Sequence, residues 1–393
     1  MGISAYNTAD VVVIGGGLIG CSTAYYLQKE GLQVSLIERG QLCSGASGSN
    51  QGGATFSRTL QPLTQLALES MKIFGHLEEE LDYDFEFQQV NYLMCAADLT
   101  PKKEEFLKAT FDELRRLGAE CRLVMGKEVR ELDRHFGKSI EGGIAIEKGI
   151  YMVWPFKLAY GLAHAAKRLG ATILTGTEVT GLKVEKGGIR SVKTDYGDIT
   201  AKYVVNAAGC WSGKIGEMVG LEIPVKPRKG QIVVTEPTEL HHYRYLMDVD
   251  YLTVEHDQKE DIDIAASVMQ QGHGNWTIGS SREMAGFDIH TSAEAMALLV
   301  KKAASLLPAL RDLHLIRSYA GLRPSCYIDG NPILGETEEI KGFVIATGHD
   351  GSGVKFTPAT GKLIAQEIAT GRRDPILDPF RYSRFRRKSA GSA

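Results

Sequence analysis

The sequence predicts an α/β protein in which one domain on a parallel sheet is interleaved with a second domain on a larger sheet. Three observations carry this. VVVIGGGLIG at 11–20 sets a glycine-rich turn between an apolar β-branched run and a helical pattern, and a lone acid follows at Glu38. YVVNAAG at 203–209 and FVIATG at 343–348 return as buried strands that end in small residues. Between them lie charged helical stretches and a run of strand-like segments.

Asp10–Gly15 reads as a buried strand, Leu18–Lys29 has helical periodicity, and Val34–Ile37 is a second buried strand ending at Glu38. That order is a βαβ unit, the context in which Gly-x-Gly-x-x-Gly has a mechanism. Gly15 permits the tight turn, Gly17 lets backbone approach a pyrophosphate, and Gly20 lets helix pack on strand. The helix N-terminus supplies N–H groups and partial positive charge for phosphates. Glu38 is placed to accept hydrogen bonds from the adenosine ribose. Two short strands joined by a turn are the alternative. The motif alone leaves open whether the nucleotide is a diffusible nicotinamide cofactor or a resident flavin.

Further along, periodicity predicts helices over 62–82, 101–117, 126–135, 156–169 and 292–306, and a last one over Gly353–Thr370. Strands are predicted over 86–94, 172–175, 179–186, 189–195, 228–236, 244–256, 262–268 and 276–279. No internal repeat or low-complexity linker interrupts them.

Composition narrows the function classes. In 393 residues, 43% hydrophobic and 24% charged is ordinary for a globular protein, and a net charge of −3 offers nucleic acid no general attraction. The 44 glycines gather at 15–20, 45–53 and 348–353, where backbone would approach a ligand. Six cysteines, at 21, 43, 95, 121, 210 and 326, show neither a Cys-x-x-Cys pair nor metal spacing, so reduced thiols and no metal are expected. The polar first nine residues do not read as a signal peptide, and no apolar run reaches the roughly 20 residues that span a bilayer. The expectation is cytoplasmic. The basic tail RYSRFRRK at 381–388 reads as a solvated end, with contact to a membrane surface or partner as the alternative.

VVVIGGGLIGCSTAYYL with Glu38, VVNAAGCWSG at 204–213, and GLRPSCYIDGNPILGETEEIKGFVIATGHDGSGVKFTPATGKLI at 321–364 together resemble the D-amino-acid-oxidase superfamily of FAD enzymes. Glycine oxidase, monomeric sarcosine oxidase and the flavin β-subunits of proline and hydroxyproline dehydrogenases belong there. IGSSREMAGFD at 278–288 and LDPFRYSRF at 377–385 extend the likeness over nearly the whole chain. The resemblance implies a discontinuous Rossmann-like FAD-binding domain (1–82, 142–225 and 317–388) and an α+β substrate domain on a large mixed or antiparallel sheet (83–141 and 226–316). It implies non-covalent FAD. Its contacts would be Gly15, Gly17, Leu18, Ile19 and Gly20, then Glu38 and Arg39, then Ser44, Ala46, Ser47, Gln51, Gly52 and Gly53 of the loop SGASGSNQGG. Val179 would clasp adenine through backbone groups. Ala208, Gly209 and Trp211 follow the third strand. The turn of Gly348, Asp350, Gly351, Ser352, Gly353, Val354 and Lys355 would aim a helix N-terminus at the flavin N1–C2=O edge, where reduction builds negative charge.

The superfamily's small substrates mostly carry a carboxylate beside the carbon that loses hydride, and a buried carboxylate needs a cationic partner. By resemblance the candidates are Arg323 in GLRP, Lys355 in GVKF and Arg58 after the flavin loop. Gly351 stands where glycine oxidases carry a second arginine, so parts of two carboxylate schemes coexist. Tyr251 falls where related enzymes place a tyrosine over the substrate. His349 and Asp350 sit beside the expected ring, with a polar turn before a helix as the alternative. Trp154, Trp211 and Tyr327 could line a pocket or pack in the core. The implied reaction is FAD-dependent oxidation of the Cα–N bond of a small amino acid. Secondary amines such as proline, hydroxyproline or sarcosine come first, then glycine or a D-amino acid. A 2-hydroxy-acid dehydrogenase and a flavin-holding subunit of a larger electron-transfer complex are the alternatives, so partner subunits or self-association are expected.

Overall fold

A computed structural model describes residues 8–55, 62–250 and 262–386. Its first sheet is centred on the opening strand Thr8–Ile14, which pairs in parallel with Val34–Glu38 on one side and Gly197–Asn206 on the other. Thr172–Thr175 extends one side in parallel, while Val179–Glu185 and Gly188–Thr194 add an antiparallel flank on the other. Phe343–Thr347 returns from late in the chain to pair in parallel with Val204–Asn206, and antiparallel Ile333–Glu336 joins it. Val11, Val12 and Val13 are fully buried, as a central strand covered on both faces requires.

Helix Leu18–Lys29 is buried on nearly all sides between Gly353–Thr370 and Pro155–Arg168. Gly361 allows the closest approach, since a Cβ there would lie 2.6 Å from the Ser22 backbone, and Ser22 Oγ donates to Thr357 O at 2.9 Å. The first and last long helices are thereby locked together.

Among the described residues the second sheet has eight strands in the order Leu315–Cys326, Val225–Pro237, Asn275–Arg282, Asp263–Gln270, Tyr243–Asp248, Asn91–Ala97, Ile140–Ile146 and Cys121–Met125. All neighbours are antiparallel except Tyr243–Asp248 against Asn91–Ala97, which are parallel, so the sheet is mixed. Helix Ala293–Leu306 covers one face, burying Leu299, Ala303 and Leu306 against Val233, Val268 and Ile278. The fold is the expected α/β arrangement of a Rossmann-like sheet interleaved with a large mixed sheet. The expected domain boundaries at 141/142 and 316/317 run through two strands of the second sheet, Ile140–Ile146 and Leu315–Cys326.

Several elements depart from expectation. The predicted helix over 126–135 is only Lys127–Leu132, opened by Gly126 at φ +54° and closed where Asp133 becomes extended. The strand expected over 86–94 divides into Gln88–Gln89 and Asn91–Ala97, in different sheets. The strand expected over 244–256 runs Tyr243–Asp248, and 251–256 lies outside the described residues. Leu315–Cys326 was not expected as a strand at all.

Candidate active site

The ends of the first sheet's strands carry the glycine turns. Gly15 has φ +113°, and a Cβ there would lie 2.5 Å from Ala207 O. A Cβ on Gly20 would run into the Gly15 carbonyl, so Gly20 serves helix–strand packing and does not line the cavity beyond. That cavity, about 390 Å³, is bordered by Gly15, Gly17, Leu18 and Ile19 at the first helix N-terminus and by Ser352, Gly353 and Val354 at the last. Neither helix has a side-chain cap from its own N-cap residue.

Glu38 closes the second strand with Oε2 accepting from Gly16 N–H at 2.7 Å and Oε1 from Gly40 N–H at 2.8 Å. Val179 borders the cavity beside it with Thr177 and Glu178. The Arg39 guanidinium lies 4.1 Å from the Trp211 ring centroid, and Phe287 stacks on Trp211 at 5.4 Å. Ala208 and Gly209 also border this part, and Thr347 Oγ1 ties the last strand to Gly209 O at 3.1 Å. Trp154 and Tyr327, 42% and 45% exposed, neither border this cavity nor pack in the core.

The loop SGASGSNQGG, whose Ser44, Ala46, Ser47, Gln51, Gly52 and Gly53 all border the cavity, is bonded to both sheets' elements. Ser47 Oγ accepts from Leu18 N–H at 2.9 Å. Asn50 donates to the carbonyls of Ala46 (3.1 Å) and Ser47 (2.6 Å) and accepts from Gly52 N–H at 2.8 Å. Gln51 Nε2 crosses to the second sheet, reaching Ser267 O at 3.0 Å and Thr277 O at 2.8 Å.

Gly348 (φ +82°) and Asp350 (φ +48°) turn the chain into the last helix. Gly348 packs against Asn331–Ile333 outside the cavity, whereas Asp350, Gly351 and Lys355 border it. Arg228 Nη2 donates to Asp350 Oδ2 at 2.5 Å. Burial pushes the Asp350 carboxyl up, but Arg228 and Arg323 together hold it below the usual carboxylate range. His349 is buried with Nε2 3.1 Å from Thr360 Oγ1, and desolvation pushes its pKa down to about 3. It is neutral near pH 7. Lys355 is also buried, with its ammonium 5.1 Å from the Phe356 ring centroid.

Arg323 reaches the cavity from the edge strand Leu315–Cys326. Its Nη1 donates to Lys229 O at 3.3 Å and Ser281 O at 3.2 Å, and its Nη2 donates to Ser280 Oγ. Tyr245, Met247 and Met269 of the second sheet complete the wall. Arg58 and Tyr251 lie outside the described residues. Sequence reasoning missed Arg228, Gly230, Ser280 and Asn50. Asn50 stood inside the quoted loop, but Arg228 has no local signal because its partner is 122 residues away.

The family described as FAD dependent oxidoreductase matches residues 10–367. The chain belongs to that family. Among its relatives, glycine oxidase from Geobacillus kaustophilus is 29% identical, covering 95% of this chain and 97% of that protein. Hydrogen cyanide synthase subunit HcnC from Pseudomonas aeruginosa is 28% identical, covering 98% and 99%. The crystal structure of L-proline dehydrogenase from P. horikoshii superposes with a TM-score of 0.86 at 26% identity, covering 96% of this chain and 99% of that one. The residues present fit FAD. Side-chain-free Gly15 and Gly17 meet a helix N-terminus, Glu38 borders the same cavity at the end of the second strand, and a second helix N-terminus faces it as well. The protein is thus an FAD-dependent oxidoreductase. No helix among the described residues is long and apolar enough to cross a membrane.

Proposed function

We propose that this oxidoreductase removes hydride from the Cα of a small amino acid. The neutral amine's lone pair forms the C=N bond of an iminium as the hydride leaves, the iminium gives up its N–H proton to solvent as an imine, and water then hydrolyses that imine. Secondary amines such as proline, hydroxyproline or sarcosine are favoured, with glycine or a D-amino acid next. Bound FAD, held non-covalently, supplies the hydride acceptor at its N5. The observation that carries the reading is that Arg323 and Lys355 border one cavity with the glycine-rich nucleotide cradle. Arg323 would hold the substrate carboxylate, and Lys355 adds positive charge to the same end. Tyr245, Met247 and Met269 exclude water and position the carbon that reacts. His349, neutral near pH 7 and bonded to Thr360, braces the turn. Arg58 and Tyr251 remain proposed substrate contacts. The proposed domain division assigns 1–82, 142–225 and 317–388 to FAD and 83–141 and 226–316 to substrate.

The relatives' names support an amino acid with a carboxylate: glycine oxidase, dimethylglycine dehydrogenase and L-proline dehydrogenase all name one. The likeness to HcnC, by name a subunit, favours a second reading in which partner subunits receive the electrons. Anaerobic mixing of the yellow holoenzyme with proline, hydroxyproline, sarcosine, glycine, D-alanine and 2-hydroxyglutarate tests both chemistry and substrate. Bleaching by an amino acid is expected, and bleaching by the hydroxy acid alone would overturn the amine assignment. The rate of recolouring in air then separates an oxidase from a chain that needs a partner.

A further inference from the structure

Strands Val225–Pro237 and Leu315–Cys326 pair antiparallel with Gly230 opposite Gly321 and Arg228 opposite Arg323. Directly opposed residues point to the same face of a sheet, so these four share the face that borders the cavity. The Arg323 side chain does not stand up from its own strand. It lies back across the neighbouring one, over Gly230: a Cβ built on Gly230 would come 2.5 Å from the guanidinium carbon and closer still to its nitrogens. The guanidinium is walled by Lys229 O, Ser281 O and Ser280 Oγ.

Those walls are themselves fixed. Lys229 and Glu283 exchange both backbone hydrogen bonds, at 2.9 and 3.0 Å. Lys229 Nζ meets Glu283 and Asp288 at 2.9 Å each, and Gln231 Nε2 donates to Glu283 at 2.8 Å. Lys229, Gln231 and Glu283 are all buried, so this network holds the strand's far face while Gly230 leaves its near face bare. A flexible arginine loses less entropy on binding a carboxylate when its plane is already set.

We infer that Gly230 is the seat of the Arg323 guanidinium, a positioning residue that sets the cation's plane toward the substrate carboxylate. The inference rests on the reading of Arg323 as the carboxylate clamp. Gly230 has no left-handed φ, so alanine fits its backbone, and the atoms its methyl would displace are the far end of a flexible side chain. Gly230→Ala therefore moves the guanidinium and leaves the sheet in place.

The test uses holoenzyme and a minimal carboxylate, acetate, titrated against the visible flavin spectrum, with FAD content measured in parallel. Arg323→Ala is expected to weaken acetate binding by roughly 10–100-fold, the range for hydrogen bonds to charged groups. Gly230→Ala is expected to weaken it by about tenfold with FAD content unchanged, and to add nothing on the Arg323→Ala background. Ser280→Ala removes one wall without adding bulk, so it serves if Gly230→Ala fails to fold: a smaller loss in the same direction is expected, again absent without Arg323. Unchanged binding in Arg323→Ala would overturn the clamp, and the inference with it. A normal Gly230→Ala beside a weakened Arg323→Ala, or full additivity in the double variant, would overturn the inference alone.

Discussion

Arg228 reaches Asp350 at 2.5 Å and so joins the strand Val225–Pro237 to the turn that opens the last helix. The pair ties a carboxylate that borders the cavity to a cation on the second sheet. Its two side chains are only 19% and 26% exposed. Removing the cation alone leaves Asp350 with buried negative charge. Arg228→Ala is expected to lower stability by about 1–3 kcal/mol, between the values for surface and buried pairs, and to weaken FAD retention. Asp350→Asn in the same chain should recover part of both. Because Asp350's folded pKa is depressed, its contribution is present above the unfolded value near 3.9 and is lost as pH falls through the folded one. The stability difference between wild type and Asp350→Asn, from urea melts, should hold above about pH 5 and shrink below pH 4.

His349 titrates with the same consequence over a higher pH range. Its folded pKa is pushed down to about 3, so between that value and about 6.5 the unfolded chain binds a proton that the native chain does not. Stability from this group therefore falls on acidification, by about 1.4 kcal/mol per pH unit once below pH 6.5. His349→Gln keeps a side chain able to bond Thr360 and should flatten the decline between pH 6.5 and 4 in denaturant melts. An unchanged slope would mean that His349 is protonated in the native state.

The opening βαβ unit was legible because each of its signals is local: three valines, spaced glycines and an apolar helix follow one another within Asp10–Glu38. The strand Leu315–Cys326 was not. Its first residues are exposed, it carries Gly321 and Pro324, and it shows no alternation, yet pairing with Val225–Pro237 from Val225↔Cys326 to Thr235↔Leu315 holds it in the sheet. Pro324 is tolerated because the strand lies at the sheet edge. The same limit applied to the site. Arg323 was visible within GLRP, but Gly230 and Ser280 become its neighbours only through strand pairing, and no sequence window contains all three.

Glu38 gives a direct test of the nucleotide end. Its carboxylate holds the N–H groups of Gly16 and Gly40, fixing the turn as well as facing the cavity. Glu38→Ala removes charge-assisted bonds, each of about 1.5–3 kcal/mol, and should weaken FAD binding by at least tenfold in a fluorescence titration of apoprotein. Glu38→Gln keeps one acceptor oxygen and should lie between. FAD binding equal to wild type in both variants would remove Glu38 from the cofactor contacts.

Phe287 extends that end from the second sheet's side. It stacks on Trp211 at 28° between planes, Trp211 lies against the Arg39 guanidinium, and Lys214 approaches the Phe287 ring at 5.5 Å. Arg39, Trp211 and Lys214 all border the cavity, whereas Phe287 is 45% exposed and does not. Its segment is anchored by the Lys229–Asp288 ion pair, so the ring acts as a fixed backing for Trp211. Trp211 and Arg39 border the cavity at this end, and an aromatic pair of this kind contributes about 0.5–1.5 kcal/mol beyond its buried area. Phe287→Ala should therefore release FAD roughly 2–10 times faster, followed as flavin fluorescence appearing after dilution. Phe287→Tyr should restore the wild-type rate. Release at the wild-type rate in Phe287→Ala would show that Trp211 needs no backing to retain the cofactor.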